Sequence, residues 1–399
     1  MSAAIDKDAP SAQWIARMRA KYEVETEVDR ALTRKLEKRS GPPHEPVSIE
    51  AMVAGLQSMI SDQHDGDFEI SNAGWLGGGA SKLQMGFTID WSPDGGDRRI
   101  EKMILRTDLA ESLHATSRLR EYQIVQALQG TIPTPSTYWV DNEGLHLPYP
   151  GLVYSFERGV AKPADAQAGV SGLGTKLPND LRKQLAPQFI EHLAKLHTFD
   201  FSQADLSAFD VPKLGTQNAE WAVNWWDRVF EEDAEEEVPL VALASAWLHK
   251  NTPDTQHLSI VHGDYRVGNF LYDDSTNQIT TWLDWELARI GDRHQDLAWS
   301  TSHAFAAYAD DGKTLLVSGL LPEDEFFEAY EKASGLSVDL DTLRYYKVFN
   351  AYAMVAMTLG TAYRVARNGK SHQDILQAWL LGVGYMLLDN IRELIEEAG

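Results

Sequence analysis

Residues 260–286 read IVHGDYRVGNFLYDDSTNQITTWLDWE, and the fold turns on how that stretch is understood. Three short strand-forming runs, over 258–261, 270–272 and 280–283, are separated by a loop and a turn. The polar residues fall where those runs end. His262-Gly263-Asp264 closes the first, Asn269 precedes the second, and Asp284 follows the third. A strand–loop–strand–turn–strand path sets Asn269 and Asp284 side by side on adjacent strands, with Asp264 across the loop. Asp273 and Asp274 fall in the intervening turn and read as solvated. The stretch is either an acidic hairpin or a site that holds out two carboxylates and an amide.

The spacing favours a site for phosphoryl transfer. That chemistry is mostly positioning and charge neutralisation, and it needs Mg²⁺ held by hard oxygen donors. An Asn amide oxygen and an Asp carboxylate, Asn269 and Asp284, are such donors. A further carboxylate, Asp264, is then available to orient an acceptor hydroxyl and take its proton.

Upstream segments carry the parts such a site still lacks. GWLGGGASK (74–82) is a Gly-rich strand turn, with Gly78, Gly79 and Ser81 placed to lie over phosphates; a plain hairpin turn is its other reading. KMILRT (102–107) is a strand whose alternation puts Lys102, Ile104 and Arg106 on one face, so Arg106 and Lys102 compete as the phosphate cation. The helix that follows carries Glu121.

Bulk composition sets outer limits. The 399-residue chain is 43% hydrophobic and 24% charged, the composition of a soluble globular protein of two to three structural units. A formal charge of −23 argues against nucleic acid and anionic membrane surfaces as partners. With no cysteine, disulfides, thiol catalysis and thiolate metal sites are excluded. No apolar run reaches the roughly 18 residues of a membrane span, and the charged N-terminus does not read as a signal peptide, so a cytoplasmic protein is expected.

Along the chain, 11–39 reads as one charged helix with Trp14, Ile15, Met18 and Tyr22 on a stripe, stopped by SGPPHEP (40–46). It is a surface arm, a partner helix or a solvated extension. An amphipathic helix over 49–60 precedes an antiparallel meander over 68–107, a helix over 112–130 and strands over 137–140 and 152–156. A Gly-, Ala- and Pro-rich connection (158–180) follows, and mostly helical sequence after it. The division is a helical extension over 1–46, a sheet-rich unit over 47–157 and a helical unit over 158–399. His192 and His197 read as core or surface histidines. EEDAEEE (231–237) reads as a solvated loop or helix end, and 349–369 as an apolar core helix. Trp225, Trp226, Tyr345 and Tyr352 are either core or the walls of a partly apolar acceptor pocket.

Taken in order, these segments resemble the aminoglycoside phosphotransferase/choline kinase-like family, a branch of the protein-kinase-like fold. The resemblance spans about residues 70–300 and is sharpest in HGDYRVGNFLYD and WLDWELARIGDRHQDLAW. With REYQIVQAL and AWLHKNTP, it is most similar to the kinase-like domains associated with acyl-CoA dehydrogenases. It implies an α+β, two-lobed fold with a small antiparallel sheet, a mostly helical second lobe, and ATP with Mg²⁺ in the cleft. It makes Asp264 the catalytic aspartate, Asn269 and Asp284 the metal ligands, and Arg106 the phosphate cation with Glu121 as its partner. Backbone groups near Phe156 and Glu157 would meet adenine, and Asp296 would brace the catalytic loop. Two departures stand out: Ser81-Lys82 where the family often has Ser-Asn, and Gly291-Asp292-Arg293 in place of Gly-Asp-Pro. The implied activity is phosphorylation of a hydroxyl on a small molecule, a hydroxyacyl thioester or similar catabolic intermediate being favoured. An aminoglycoside or macrolide kinase and a non-catalytic nucleotide-binding pseudokinase are the alternatives.

Overall fold

The computed structural model describes residues 6–77, 82–163 and 175–398. Gly78, Gly79 and Ser81 of the expected phosphate loop lie outside the described residues.

Period-two alternation builds the first half of the chain. Helices α1 (Ala12–Lys21), α2 (Thr26–Lys38) and α3 (Ile49–Gln63) precede strands β1 (Phe68–Trp75), β2 (Leu83–Trp91) and β3 (Arg99–Thr107). Helix α4 (Arg118–Ala127) and strands β4 (Thr137–Asp141) and β5 (Gly151–Ser155) follow. The five strands form one antiparallel sheet in the order β1-β2-β3-β5-β4. Met85, Phe87, Ile89 and Trp91, two residues apart on β2, bury one face together with Met103 and Leu105 of β3. Met52, Leu56, Met59 and Ile60 make the matching stripe on α3 that covers this face.

The second half is helical around small β elements. In chain order it runs α5 (Asn179–His197), α6 (Gln217–Asp233), α7 (Pro239–Lys250), β6 (Ser259–Val261), β7 (Phe270–Asp273), β8 (Gln278–Trp282) and β9 (Arg289–Gly291). Then come α8 (His294–Ser300), β10 (Ala307–Tyr308), β11 (Leu315–Val317), β12 (Leu321–Pro322), α9 (Glu323–Ser334), α10 (Leu340–Val355), α11 (Tyr363–Arg367) and α12 (Asp374–Ala398). Its core takes in Val28 and Leu32 of α2 and Ile124 and Val125 of α4, so both helices are rooted in the helical half. His192 and His197 are buried in α5, as are Trp225, Trp226, Tyr345 and Tyr352 in α6 and α10. Among the described residues no helix is long and apolar enough to cross a membrane.

The α+β class and the order of sheet then helices match the expectation, with four local differences. The charged segment 11–39 is two helices, not one, because Tyr22 leaves the helix to bond Glu231 and Glu25 turns to Arg120. Helix α4 starts at Arg118, with Ser117 as its cap. Strand β6 pairs with β9, while β7 and β8 form a separate hairpin. The run 231–237 is not simply solvated. Glu232 and Asp233 are fully buried, because Lys35 and Arg39 arrive from the N-terminal segment to pair with them and Arg228, one turn earlier on α6, pairs with Glu232.

Candidate active site

Strand β6 delivers His262-Gly263-Asp264 into a loop that requires glycine at 263. Gly263 has φ +83°, and a Cβ there would sit 2.8 Å from both the Cβ and the carbonyl oxygen of Leu287, so no larger residue fits. The N–H groups of His262 and Gly263 donate to the buried Asp296 carboxylate at 2.7 and 2.8 Å. His262 Nδ1 accepts from the Asp264 N–H at 3.2 Å, which leaves Nε2–H to donate to the Leu283 carbonyl at 3.1 Å. Burial outweighs the surrounding carboxylates and lowers the His262 pKa, so the ring is neutral. It ties the Asp264 loop to the residue before Asp284.

The side chain of Asp264 is held from three directions. Oδ1 accepts from Trp299 Nε1 at 2.6 Å and Arg266 Nε at 2.7 Å; Oδ2 accepts from Asn269 Nδ2 at 2.6 Å. Asn269 Nδ2 also donates to the Asp264 carbonyl, so Oδ1 is the atom it has for a cation. Across the mouth of the β7–β8 hairpin, the Leu283 N–H donates to the Asn269 carbonyl at 2.7 Å, which brings Asn269 beside Asp284. Asp284 has φ 67° and ψ 50°, a left-handed conformation uncommon for a residue with a side chain.

Strand β3 meets this group from the sheet side. Arg106 Nη2 lies 2.5 Å from Asp284 Oδ1 and 3.3 Å from Glu286 Oε1, while its Nε is 3.5 Å from Glu121 Oε1. Lys102, the rival cation, is exposed. The sharper partner of Glu121 is Arg118, three residues earlier on α4. Glu286 is the hub. It takes Lys82 at 3.0 Å, Arg106 at 3.3 Å, Arg118 at 3.6 Å and a hydrogen bond from Thr116 at 3.1 Å. Burial by itself would raise its pKa; Lys82, a His114 hydrogen bond and Arg106 outweigh it and hold the carboxyl well below the usual range.

Sequence reasoning missed Glu286, Lys82, Trp299 and Arg266. Glu286 closes the opening stretch, and Arg266 stands two residues after Asp264, so their neighbours were the available signal. Lys82 closes the Gly-rich stretch and Trp299 closes the WLDWELARIGDRHQDLAW motif, but nothing local shows that they turn to Glu286 and Asp264. The segment after β5, where Phe156 and Glu157 stand, runs on from the sheet. The Phe156 N–H donates to the Lys102 carbonyl at 3.0 Å, continuing the sheet, and the Glu157 carboxylate accepts from Ser155 Oγ. The chain then bridges Val160 to Tyr272 of the β7–β8 hairpin.

The donor chemistry fits a magnesium ion. Asp284 keeps 35% of its side chain exposed, against 3–4% for Glu286 and Glu121, and it offers hard oxygens beside Asn269 Oδ1. No group of three or more His, Asp or Glu residues able to hold a metal occurs among the described residues.

This arrangement of a braced aspartate loop, an adjoining Asn and Asp, and a cation strand is that of a phosphotransferase. The model described as the phosphotransferase enzyme family matches residues 91–346, and the chain belongs to that family. Among curated proteins it is similar to acyl-CoA dehydrogenase family member 11 of Pongo abelii, 24% identical over 48% of this chain and 25% of that protein. The corresponding protein of Gallus gallus is 26% identical over 44% of this chain and 23% of its own length. A third relative is probable acyl-CoA dehydrogenase IBR3 of Arabidopsis thaliana, 24% identical over 68% of this chain and 34% of that protein. The chain thus spans about a quarter to a third of the length of these relatives. Among solved structures, a Ralstonia eutropha protein assigned as an aminoglycoside phosphotransferase superposes with TM-score 0.58 at 19% identity, over 85% of this chain and 98% of its own. Macrolide 2'-phosphotransferase type I gives 0.52 at 19% identity, over 84% and 99%. These likenesses establish the two-lobed kinase-like fold.

Proposed function

We propose that the protein is an ATP- and Mg²⁺-dependent kinase that phosphorylates a hydroxyl of a small molecule. The observation that carries this is the meeting of Asp264, Asn269 and Asp284 with Arg106, the Asn269–Asp264 contact being 2.6 Å and the Arg106–Asp284 contact 2.5 Å. In this reading Asp264 orients the acceptor hydroxyl for in-line attack and receives its proton. Trp299, Arg266 and Asn269 fix the carboxylate so that no rotation is needed when the proton moves. Arg106 contacts phosphate oxygens, and Glu121 and Glu286 hold its fork in place. Asn269 Oδ1 and Asp284 would hold the magnesium ion, which when bound neutralises charge on the β- and γ-phosphates. Gly78, Gly79 and Ser81 would cover those phosphates, and backbone groups around Phe156 and Glu157 would meet adenine.

For the acceptor, the dehydrogenase relatives favour a hydroxyacyl thioester or similar catabolic metabolite. The fold likeness to a macrolide phosphotransferase keeps an antibiotic as the second reading. The test is ADP release with hydroxyacyl-CoAs, aminoglycosides and macrolides, using wild type and Asp264→Ala. A kinase loses turnover in Asp264→Ala and keeps Mg²⁺-dependent ATP binding by thermal shift. Undiminished turnover in the variant would overturn the assignment, and ATP binding without turnover on any acceptor would favour a pseudokinase.

A further inference from the structure

The N-terminal arm touches both halves of the molecule, and its contacts through Glu25 and Glu27 converge on the elements that carry Glu121 and Asp284. Glu25, at the start of α2, is buried, and its Oε2 accepts from Arg120 Nη1 at 2.6 Å. Arg120 is the neighbour of Glu121 on α4. Its second fork nitrogen, Nη2, donates to the Ala288 carbonyl at 3.0 Å, four residues after Asp284. Its guanidinium also lies over the Phe209 ring, 4.2 Å from the centroid. One arginine, oriented by Glu25, therefore ties the Glu121 helix to the turn that presents Asp284.

Glu27 makes a second hold. Its Oε1 accepts from Ser117 Oγ at 2.7 Å and from Asn142 Nδ2 at 2.9 Å. Ser117 caps α4, and Asn142 Oδ1 accepts the Leu119 N–H at 3.0 Å. A carboxylate is thus set against the N-terminus of α4, where the helix dipole favours it.

The rest of the arm is anchored to the helical half. Asp29 pairs with Arg228 at 2.6 Å, and Lys35 and Arg39 grip the buried Asp233. Burial would raise the Asp233 pKa, but Lys35, Arg39 and Arg364 outweigh it and hold the carboxyl well below the usual range. Val28 and Leu32 sit in the helical core. The arm is rigidly tied at one end and grips α4 at the other.

We infer that the arm belongs to the nucleotide site: Glu25 and Glu27 are positioning residues that set the Glu121 helix and the Asp284 turn for binding the phosphates of ATP. This rests on the kinase reading above and goes beyond it, since the family match begins only at residue 91. Neither glutamate touches substrate; Glu25 acts through Arg120, and Glu27 through Ser117 and Asn142.

The test measures the Kd of Mg²⁺·ATP and the melting temperature of the full chain for wild type, Glu25→Gln, Glu27→Gln and Asp29→Asn. The last breaks an anchor on the helical side and serves as the control for plain destabilisation. Glu25→Gln weakens nucleotide binding by about tenfold, the scale of losing one charge-assisted hydrogen bond. Glu27→Gln, which keeps an acceptor for Ser117 and retains the fold more readily, shifts Kd in the same direction by less. Asp29→Asn lowers the melting temperature and leaves Kd within about twofold of wild type. Unchanged Kd in both glutamate variants, or a change matched by Asp29→Asn, overturns the inference. A wild type that does not bind Mg²⁺·ATP overturns the kinase reading itself, and this inference with it.

Discussion

Glu286→Gln is the most direct test of the ion cluster beneath the site. Gln keeps the shape and an acceptor for Thr116, so the variant removes mainly the charge. At 3.0 and 3.3 Å from Lys82 and Arg106, each attraction amounts to about 5 kcal/mol at an effective dielectric of 20, before lost hydration is counted. Hydration offsets much of that, and breaking a buried pair leaves a net loss of about 3–5 kcal/mol. Against a total stability of about 5–15 kcal/mol, the change is large. The assay is urea unfolding of wild type, Glu286→Gln, Lys82→Met and the double variant. Each single change is expected to lose about 3 kcal/mol or more. The double variant is expected to lose less than their sum by about 0.5–3 kcal/mol, because Lys82 and Glu286 then no longer leave each other unpaired. A loss under about 1 kcal/mol in Glu286→Gln, or strict additivity with Lys82→Met, would refute the cluster as described.

Three further outcomes are expected. Trp299→Phe removes the 2.6 Å indole donor from Asp264; it lowers kcat by about tenfold or more and leaves the ATP Kd unchanged, as read by steady-state kinetics and titration. Gly159→Ala forces a side chain onto φ +146° with its Cβ 2.9 Å from Leu271 Cβ, costing about 1–3 kcal/mol and loosening the Val160–Tyr272 bridge in hydrogen exchange. Asp233 has a folded pKa below its unfolded one, so its contribution is present above the unfolded value and is lost as pH falls through the folded one. Wild type therefore loses stability progressively below about pH 4, and Asp233→Asn, weaker at pH 7, shows a shallower acid limb in urea midpoints; equal slopes in the two proteins would count against it.

Short-range pattern carried much of this protein. Period-two runs set the five-stranded sheet, the α3 stripe set its cover, and turn residues between 261 and 284 set Asp264, Asn269 and Asp284 at strand ends. Each of these depends on residues a few positions apart, whose backbone preferences act before distant parts of the chain meet. Charge burial was decided at longer range. Glu232 and Asp233 look like part of a solvated acidic run until Lys35 and Arg39, nearly 200 positions earlier, arrive to neutralise them. Glu286 becomes a hub only when Lys82, Arg106 and Arg118 converge from the residue before β2, from β3 and from α4. The break after α1 follows from tertiary partners too, since Tyr22 and Glu25 leave the helix for Glu231 and Arg120. Local sequence determined which residues could stand at a site. Whether a buried charge finds an opposite charge depends on contacts between remote segments, and only the tertiary structure decided that.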